Sequence, residues 1–276
     1  MTKQSLYKII RWVYHKIPLP HKYRTIIHSK LHPLKPRFSG WGMTSMHELP
    51  WNDEYDGKIF RQAIIDVKKK FEFTNDATHI NSSMMDELQW RQWIVSYATR
   101  HAIEFAKTDD YNFVECGVGD GFSSFFILRE ICGNKKTMNN YITHLYDSWD
   151  AMKKEDLLES ELVNLGRYWN LYIDLAKRNL SEFKNVSYHK GYIPQSFESL
   201  PVPPTIVYLL IDLNSAKPTL DTLEFFYPRL VKGGVILFDD YGWKGFEDTK
   251  RIVDEFLHNK PGMLLKLPTG QAIYFH

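Results

Sequence analysis

The sequence has little cysteine, no long hydrophobic run and almost no net charge. Its two cysteines, Cys116 and Cys132, are too few for the disulfide framework of a small secreted protein. No uninterrupted apolar run reaches the ~20 residues of a membrane-spanning helix, and the N-terminus shows no apolar block followed by a secretory cleavage site. We therefore expect a cytoplasmic protein. The formal net charge of +2 gives no reason to expect a nucleic-acid partner.

Acidic residues are missing before Glu48, whereas this stretch contains nine lysines and arginines. Within this basic arm, residues 3–17 place Leu6, Ile9 and Val13 on one face of a predicted helix. Such a helix either lies on an anionic membrane surface or docks on the protein body or on a partner subunit. Peripheral membrane contact at the cytoplasmic surface and a homo-oligomer are therefore the two partner predictions for the arm.

The chain divides into three predicted parts. Residues 1–57 form the basic arm and an irregular connection rich in proline and glycine. Residues 58–110 form a helical cover, with helices over 58–70 and 84–107. Residues 111–276 form the main domain.

Strand and helix patterns alternate after residue 111. Apolar strands are predicted in YNFVECG, YITHLYD, NVSYHKG, TIVYLLID and GGVILFDD. Helical spacing separates them, including an amphipathic helix over 160–180 and a helix over 245–258, and MLLKLPTGQAIYFH predicts a final hairpin. This order predicts an α/β fold with a doubly wound, mostly parallel sheet and helices on both faces. Ligands of such sheets bind at the carboxyl ends of the strands.

Glycines cluster between the first strand and its helix, in VECGVGDGFSS. Gly117, Gly119 and Gly121 permit unusual backbone angles and let a ligand approach the main chain. A dinucleotide-binding loop, G-x-G-x-x-G, would need glycine where this chain has Phe122. Counted from Glu115, the spacing is E-x-G-x-G-x-G, which resembles the first motif of Rossmann-like methyltransferases that use S-adenosylmethionine (SAM). A tight turn without a ligand is the alternative interpretation.

A second candidate ligand contact is Asp147, which ends the second strand in HLYDSWD. A carboxylate at this place can accept hydrogen bonds from both ribose hydroxyls of an adenosine ligand. The alternative is a helix N-cap. The end of the third strand, in KGYIPQSF, is where the adenine ring is expected. The remaining predicted cofactor contacts are Ser123, Ser148, Gly191 and Tyr192.

Three further carboxylates end the fourth and fifth strands: Asp212 in LLIDLN, and Asp239 and Asp240 in VILFDDYG. The carboxyl ends of neighbouring parallel strands meet at one rim, where three negative charges would repel one another. A divalent cation resolves this repulsion, and hard oxygen ligands favour Mg²⁺, Mn²⁺ or Ca²⁺ over zinc. Alternatively, these acids cap the following helices and face water.

Three stretches together resemble the macrocin O-methyltransferase family: VECGVGDG, YDS and IDLNSAKPTLDTLEFFYPRLVKGGVILFDDYG. The resemblance covers roughly residues 110–275. It implies a Rossmann-like class I methyltransferase fold with a seven-stranded sheet. The predicted N-terminal helical extension lies outside the resemblance, and residues 1–57 have no counterpart in it. It also implies a SAM- and Mg²⁺-dependent enzyme that methylates sugar hydroxyls of glycosylated compounds. SAM is then expected at residues 115–121 and Asp147, and the metal at the three rim acids. Asn214 departs from the family pattern, which often has Asp there.

These features predict a SAM-dependent O-methyltransferase acting on a sugar or a glycosylated small molecule. Asp212 is expected both to bind the metal and to take the proton of the acceptor hydroxyl. Two other functions stay open: a catechol-type metal-dependent O-methyltransferase, and a SAM-binding adaptor without turnover. The alternative bases are His101, His144, His189 and His258.

Overall fold

A seven-stranded sheet organises the chain from residue 112 onward. The computed structural model describes residues 54–74 and 88–276, which all belong to a compact unit spanning Trp51–His276. The strand order is β3-β2-β1-β4-β5-β7-β6, and all pairs are parallel except those made by β7. The strands are β1 (Asn112–Cys116), β2 (Ile142–Asp147), β3 (Val186–Lys190), β4 (Ile206–Ile211), β5 (Leu230–Phe238), β6 (Met263–Lys266) and β7 (Ala272–Phe275).

Helices cover both faces of the sheet. In the described residues they are α1 (Glu54–Lys70), α2 (Gln89–Phe105), α3 (Phe122–Gly133), α4 (Ile173–Asn179), α5 (Ala216–Phe226) and α6 (Glu247–Leu257), with short 3₁₀ turns between them. Helix α2 packs on β4, β5 and α3, and α1 packs on α3. Helix α5 packs on β4 and on α6. The central strands β1 and β4 are therefore buried at every residue, which explains the continuous apolar sequence of β4.

This architecture confirms the predicted Rossmann-like fold, with its parallel strands and its C-terminal hairpin. The predicted helices over 58–70 and 84–107 are present as α1 and α2 within the described residues. Helix α1 begins at Glu54, so residues 54–57 of the predicted irregular connection are helical. The predicted helix over residues 3–17 and most of the basic arm lie outside the described residues. No helix among residues 54–74 and 88–276 has both the length and the apolar character that a membrane crossing requires.

The long helix predicted over residues 160–180 is wrong. The structure has a 3₁₀ turn at Glu159–Asn164 and then the short helix α4. Gly166 and Tyr168, with φ angles of +78° and +66°, interrupt the helical geometry between them. Trp169, on the apolar side of the predicted helix, has 72% of its surface exposed.

The strand register lines up the residues that end the central strands. Cys116 of β1 pairs with Tyr146 of β2 and with Ile211 of β4, and Ile211 pairs with Phe238 of β5. The residue that follows each of these paired positions therefore lies at one rim of the sheet. These residues are Gly117, Asp147, Asp212 and Asp239, all predicted as site residues.

Candidate active site

Gly117 brings the glycine loop, residues 117–121, against the end of β4. Its N–H donates a 2.9 Å hydrogen bond to the carbonyl of Tyr146, and its φ is +91°. A Cβ atom at this position would lie 1.8 Å from the carbonyl oxygen of Asp212. Only glycine has both the conformational freedom and the small size for this contact. The predicted cofactor loop is thus in contact with the strand end that carries the first predicted metal ligand.

The Asp147 carboxylate holds the glycine loop in place. Its Oδ2 accepts hydrogen bonds from the backbone N–H groups of Val118 at 2.7 Å and Gly119 at 2.9 Å. Its Oδ1 accepts a 2.6 Å hydrogen bond from the N–H of Trp149. The next helical turn begins only at Lys154, so the N-cap alternative for Asp147 is wrong. Oδ2 thus already accepts two hydrogen bonds, so ribose hydroxyls would bind here only by sharing or replacing these contacts.

Trp149 is a second support of the loop that sequence reasoning missed. Its indole Nε1–H donates a 2.9 Å hydrogen bond to the carbonyl of Gly119. The side chain is buried, with its ring 6.4 Å from that of Tyr188. The available signal was a large aromatic residue two positions after the strand-end acid, in YDSWD. Asp147 and Trp149 together fix the glycine loop from the β2 side.

Glu115 lies beneath the loop rather than in it. Its side chain is fully buried in β1 and accepts a 2.5 Å hydrogen bond from the hydroxyl of Ser124. Burial raises the pKa of this carboxyl well above its usual range, and the nearby charges of Asp212 and Asp147 raise it further. Glu115 therefore braces α3 from below, and the structure shows it bonded to Ser124. The predicted contact Ser123 instead accepts a 3.3 Å hydrogen bond from the amide of Gln92.

The predicted adenine and ribose contacts beyond Asp147 border the same rim. The N–H of Gly191 donates a 2.9 Å hydrogen bond to the carbonyl of Asp147, which joins the ends of β2 and β3. The hydroxyl of Tyr192 donates to the carbonyl of Ala151 at 2.8 Å, and burial raises its pKa to about 12. Ser148 contacts the backbone of Asp150. These three positions are near one another, and their role in cofactor binding stays a prediction.

Asp120 connects the glycine loop to the segment that follows α1. Its Oδ2 accepts the backbone N–H of Thr74 at 2.7 Å, and its Oδ1 accepts the Thr74 hydroxyl at 2.6 Å. The side-chain amide of Asn179 donates to the Asp120 carbonyl at 2.9 Å. The sequence gives no signal for the contact between Thr74 and Asp120, because 46 positions separate them. The loop is consequently anchored on this side as well.

The structure brings the three predicted metal ligands together. One carboxylate oxygen from each of Asp212, Asp239 and Asp240 lies within 4.8 Å of the others. None of them caps a helix, since α5 follows Ser215 and α6 follows Phe246. The capping alternative is therefore wrong for this cluster.

The two strand-five acids differ in their contacts. Asp239 is buried, accepts a 2.8 Å hydrogen bond from the side-chain amide of Gln271, and forms an ion pair with Arg91 of α2. Asp240 has an oxygen, Oδ2, that is buried and has no hydrogen-bond partner among the described residues. Burial, and next the charge of Asp212, raise the pKa of the Asp240 carboxyl well above its usual range. The cluster therefore offers oxygen ligands for a cation, and the ion pair with Arg91 compensates only part of its negative charge.

Asn214 interacts directly with this cluster. Its side-chain amide donates a 3.3 Å hydrogen bond to Asp212, and its own carbonyl accepts a 2.9 Å hydrogen bond from the hydroxyl of Tyr168. An aspartate at position 214 could not donate to Asp212 when ionised. Asn214, at the position where the macrocin O-methyltransferases often have Asp, thus adds a hydrogen-bond donor beside Asp212.

Known proteins with a similar sequence or structure include methyltransferases. Residues 114–241 match a family model described as a methyltransferase domain, and this span includes the glycine loop and all three acids. The structure resembles the O-methyltransferase NovP, with a TM-score of 0.64 and 16% identity over 80% of this chain and 98% of that one. It also resembles CalS11, a calicheamicin methyltransferase, with a TM-score of 0.55 and 14% identity over 86% and 98% of the two chains. No curated protein sequence matches the chain.

The family match is confined to residues 114–241, the region that carries the site. At 16% and 14% identity, the structural likeness shows the fold. The narrower resemblance to the macrocin O-methyltransferases stays a prediction.

Proposed function

We propose that the protein is a SAM-dependent O-methyltransferase that methylates a hydroxyl group of a sugar or a glycosylated small molecule. A divalent cation at the three rim acids would assist the reaction. The observation that carries this proposal is the contact between two parts of the site. The glycine loop packs on the Asp212 carbonyl, while the Asp212 side chain belongs to a cluster of carboxylate oxygens within 4.8 Å of one another.

The residues around the glycine loop fit an adenosyl cofactor. Bound SAM would supply an electrophilic methyl group on its sulfonium. The loop has backbone N–H groups at Val118 and Gly119, which are now bonded to the Asp147 carboxylate. Asp147 and the end of β3 at Gly191 would bind the ribose and frame the adenine. The cofactor would then lie across β1, β2 and β3, next to the acids of β4 and β5.

The acid cluster fits a hard divalent cation. Asp212, Asp239 and Asp240 would hold it, and the partnerless Asp240 Oδ2 would gain the ligand contact that it lacks among the described residues. A bound cation would lower the pKa of an acceptor hydroxyl. Binding one cation through two neighbouring hydroxyls would also fix the acceptor's orientation. Vicinal hydroxyls are common to sugars and catechols.

Asp212 would take the hydroxyl proton. It is only partly buried, so an acceptor can reach it, and the Asn214 amide holds one of its oxygens. Tyr168 fixes Asn214 in turn. A base must lie within hydrogen-bond distance of the proton that it removes, and this chain of contacts limits the rotation of Asp212.

For this chain, the acceptor class rests on the rim acids and on the sequence resemblance.

The experiment has two parts. Calorimetric titration measures SAM binding, and transfer of a labelled methyl group is then measured with nucleotide sugars, glycosylated aromatic compounds and catechols, with Mg²⁺ or with EDTA. We expect SAM binding, and turnover of a sugar acceptor that EDTA abolishes. Turnover of catechols alone would support the catechol-type enzyme, and SAM binding without any turnover would support an adaptor.

Asp240→Asn tests the cation site directly. We expect it to lower kcat/KM by about 100-fold or more, since even outer contacts of a metal site contribute about 10- to 100-fold, while the affinity for SAM stays unchanged. Asp110→Asn, which alters an exposed acid before β1, is the control and should leave both values unchanged. Full turnover of Asp240→Asn in the presence of EDTA would exclude the proposed role of the cation.

A further inference from the structure

We infer that Arg91 competes with the divalent cation for Asp239 and thereby sets the affinity of the site for that cation. The inference rests on the proposed function, because it concerns the same three acids. It adds a residue from α2, outside the span that matches the methyltransferase family model. It also means that Arg91 controls the affinity of the site for its cation.

Arg91 already compensates the charge of one proposed ligand. Its guanidinium forms an ion pair with Oδ2 of Asp239, and only 19% and 7% of the two side chains are exposed. The other oxygen of Asp239 accepts the 2.8 Å hydrogen bond from Gln271. Both oxygens of this carboxylate are therefore engaged by other parts of the chain, one by α2 and one by the residue that precedes β7.

The three acids are consequently not equivalent as ligands. Asp240 has a buried oxygen without a partner in the described residues, and Asp212 is partly exposed. At the buried Asp240 Oδ2, a cation meets a carboxylate oxygen that no described side chain or backbone group occupies. To use Asp239 as well, it must share Oδ2 with a guanidinium or displace it.

Sharing is unfavourable on electrostatic grounds. A cation bound to the same oxygen as a guanidinium would bring three positive charges together around one carboxylate. Repulsion between charges is strong where burial lowers the effective dielectric. While it is paired with Asp239, the guanidinium carbon of Arg91 also lies 5.7 Å from the ring centre of the half-exposed Trp243, and this contact can persist when the pair breaks. We therefore expect cation binding to break the pair between Arg91 and Asp239.

The test measures binding of Mn²⁺ alone to the full-length protein, by electron paramagnetic resonance of the free ion. We expect Arg91→Gln to bind Mn²⁺ about tenfold tighter than the wild type, because close charge pairs of this kind are strongly coupled. Arg91→Lys keeps the charge but loses the guanidinium, and should give an intermediate affinity. It also covers the case in which Arg91→Gln does not fold.

Arg100→Gln is the matched control. Arg100 is on the same helix, forms a 3.0 Å ion pair with the buried Glu130, and lies 5.4 Å from the ring centre of Trp93. Its replacement removes the same charge from α2 but does not free Asp239, so the Mn²⁺ affinity should change less than about twofold.

A double-mutant cycle separates direct competition from general repulsion. In an Asp239→Asn background, Arg91→Gln should tighten Mn²⁺ binding much less, because the shared carboxylate is gone and only the charge of Arg91 acting on Asp240 remains. An equal gain in both backgrounds, or no gain in the wild-type background, would overturn the inference while leaving the cation site in place. Absence of Mn²⁺ binding to every variant, the wild type included, would instead overturn the proposed cation site itself.

Discussion

Protonation of a buried histidine pair should destabilise the protein as the pH falls. The Nδ1 atom of His144, in β2, lies 3.2 Å from Nε2 of His189, in β3, and both side chains are only 1% exposed. The ring of Tyr146 stacks on His189 at 4.2 Å, and the other His189 nitrogen lies 3.1 Å from the hydroxyl of Ser199. One of the two facing nitrogens must accept, so both rings cannot be protonated without two N–H groups facing each other. Both rings are thus buried in the sheet and face each other.

The magnitude follows from the pKa of His144. Burial, and next the charge of His189, lower this pKa from 6.5 to about 4, and burial also lowers the pKa of His189. Because the folded pKa is depressed, the unfolded state binds more protons in this window. The stabilisation is fully present above the unfolded value and is lost as the pH falls from about 6.5 towards 4. The full loss amounts to about 3 kcal/mol for His144, of which about 2 kcal/mol is lost by pH 5.

Urea unfolding between pH 8 and pH 4.5 measures this effect. His144→Gln should be less stable than the wild type at pH 8, but its free energy of unfolding should fall less steeply below pH 6.5. The gap between the two proteins should narrow by about 2 kcal/mol at pH 5. His258→Gln, which changes an exposed histidine after α6, should retain the wild-type slope. Parallel curves for His144→Gln and the wild type would refute the reasoning.

Two substitutions test the supports of the glycine loop. Gly117→Ala places a Cβ 1.8 Å from the Asp212 carbonyl oxygen and should lower the free energy of unfolding in urea by more than about 3 kcal/mol. The control Gly166→Ala, with φ +78° and no atom within 4 Å of the new Cβ, should lower it by only about 1 kcal/mol. Equal losses in the two variants would contradict the steric explanation. Trp149→Phe removes the hydrogen bond to the Gly119 carbonyl, so it should lower the free energy of unfolding by about 1 kcal/mol and weaken SAM binding severalfold. An unchanged SAM affinity in calorimetry would show that the indole does not position the loop.

Much of the fold could be predicted because strand and helix patterns depend on local sequence. The apolar run that became β4 and the glycines before α3 both have short-range causes, namely burial and backbone freedom. The proximity of Asp212 and Asp239 could also be predicted, because both follow parallel strands and the carboxyl ends of parallel strands lie at one rim of the sheet.

The segment over residues 160–180 shows where local periodicity misleads. Its apolar residues recur at helical spacing, yet Gly166 and Tyr168 adopt left-handed backbone angles and the helix is confined to α4. Tyr168 is held there by its hydrogen bond to Asn214, 46 positions away. A distant contact thus competes with the helical preference, which is weak on its own.

The amino-acid sequence by itself determined which residues stand at the ends of the strands: glycines after β1, an acid at the end of β2, and three acids after β4 and β5. Only the tertiary structure decided the partners of these groups. Asp147 is bonded to the glycine loop, and Asp239 is bonded to Arg91 and Gln271. The physical reason is that strand-end residues are placed by backbone register, whereas their partners come from α2 and the residue before β7, brought there by packing of the whole core.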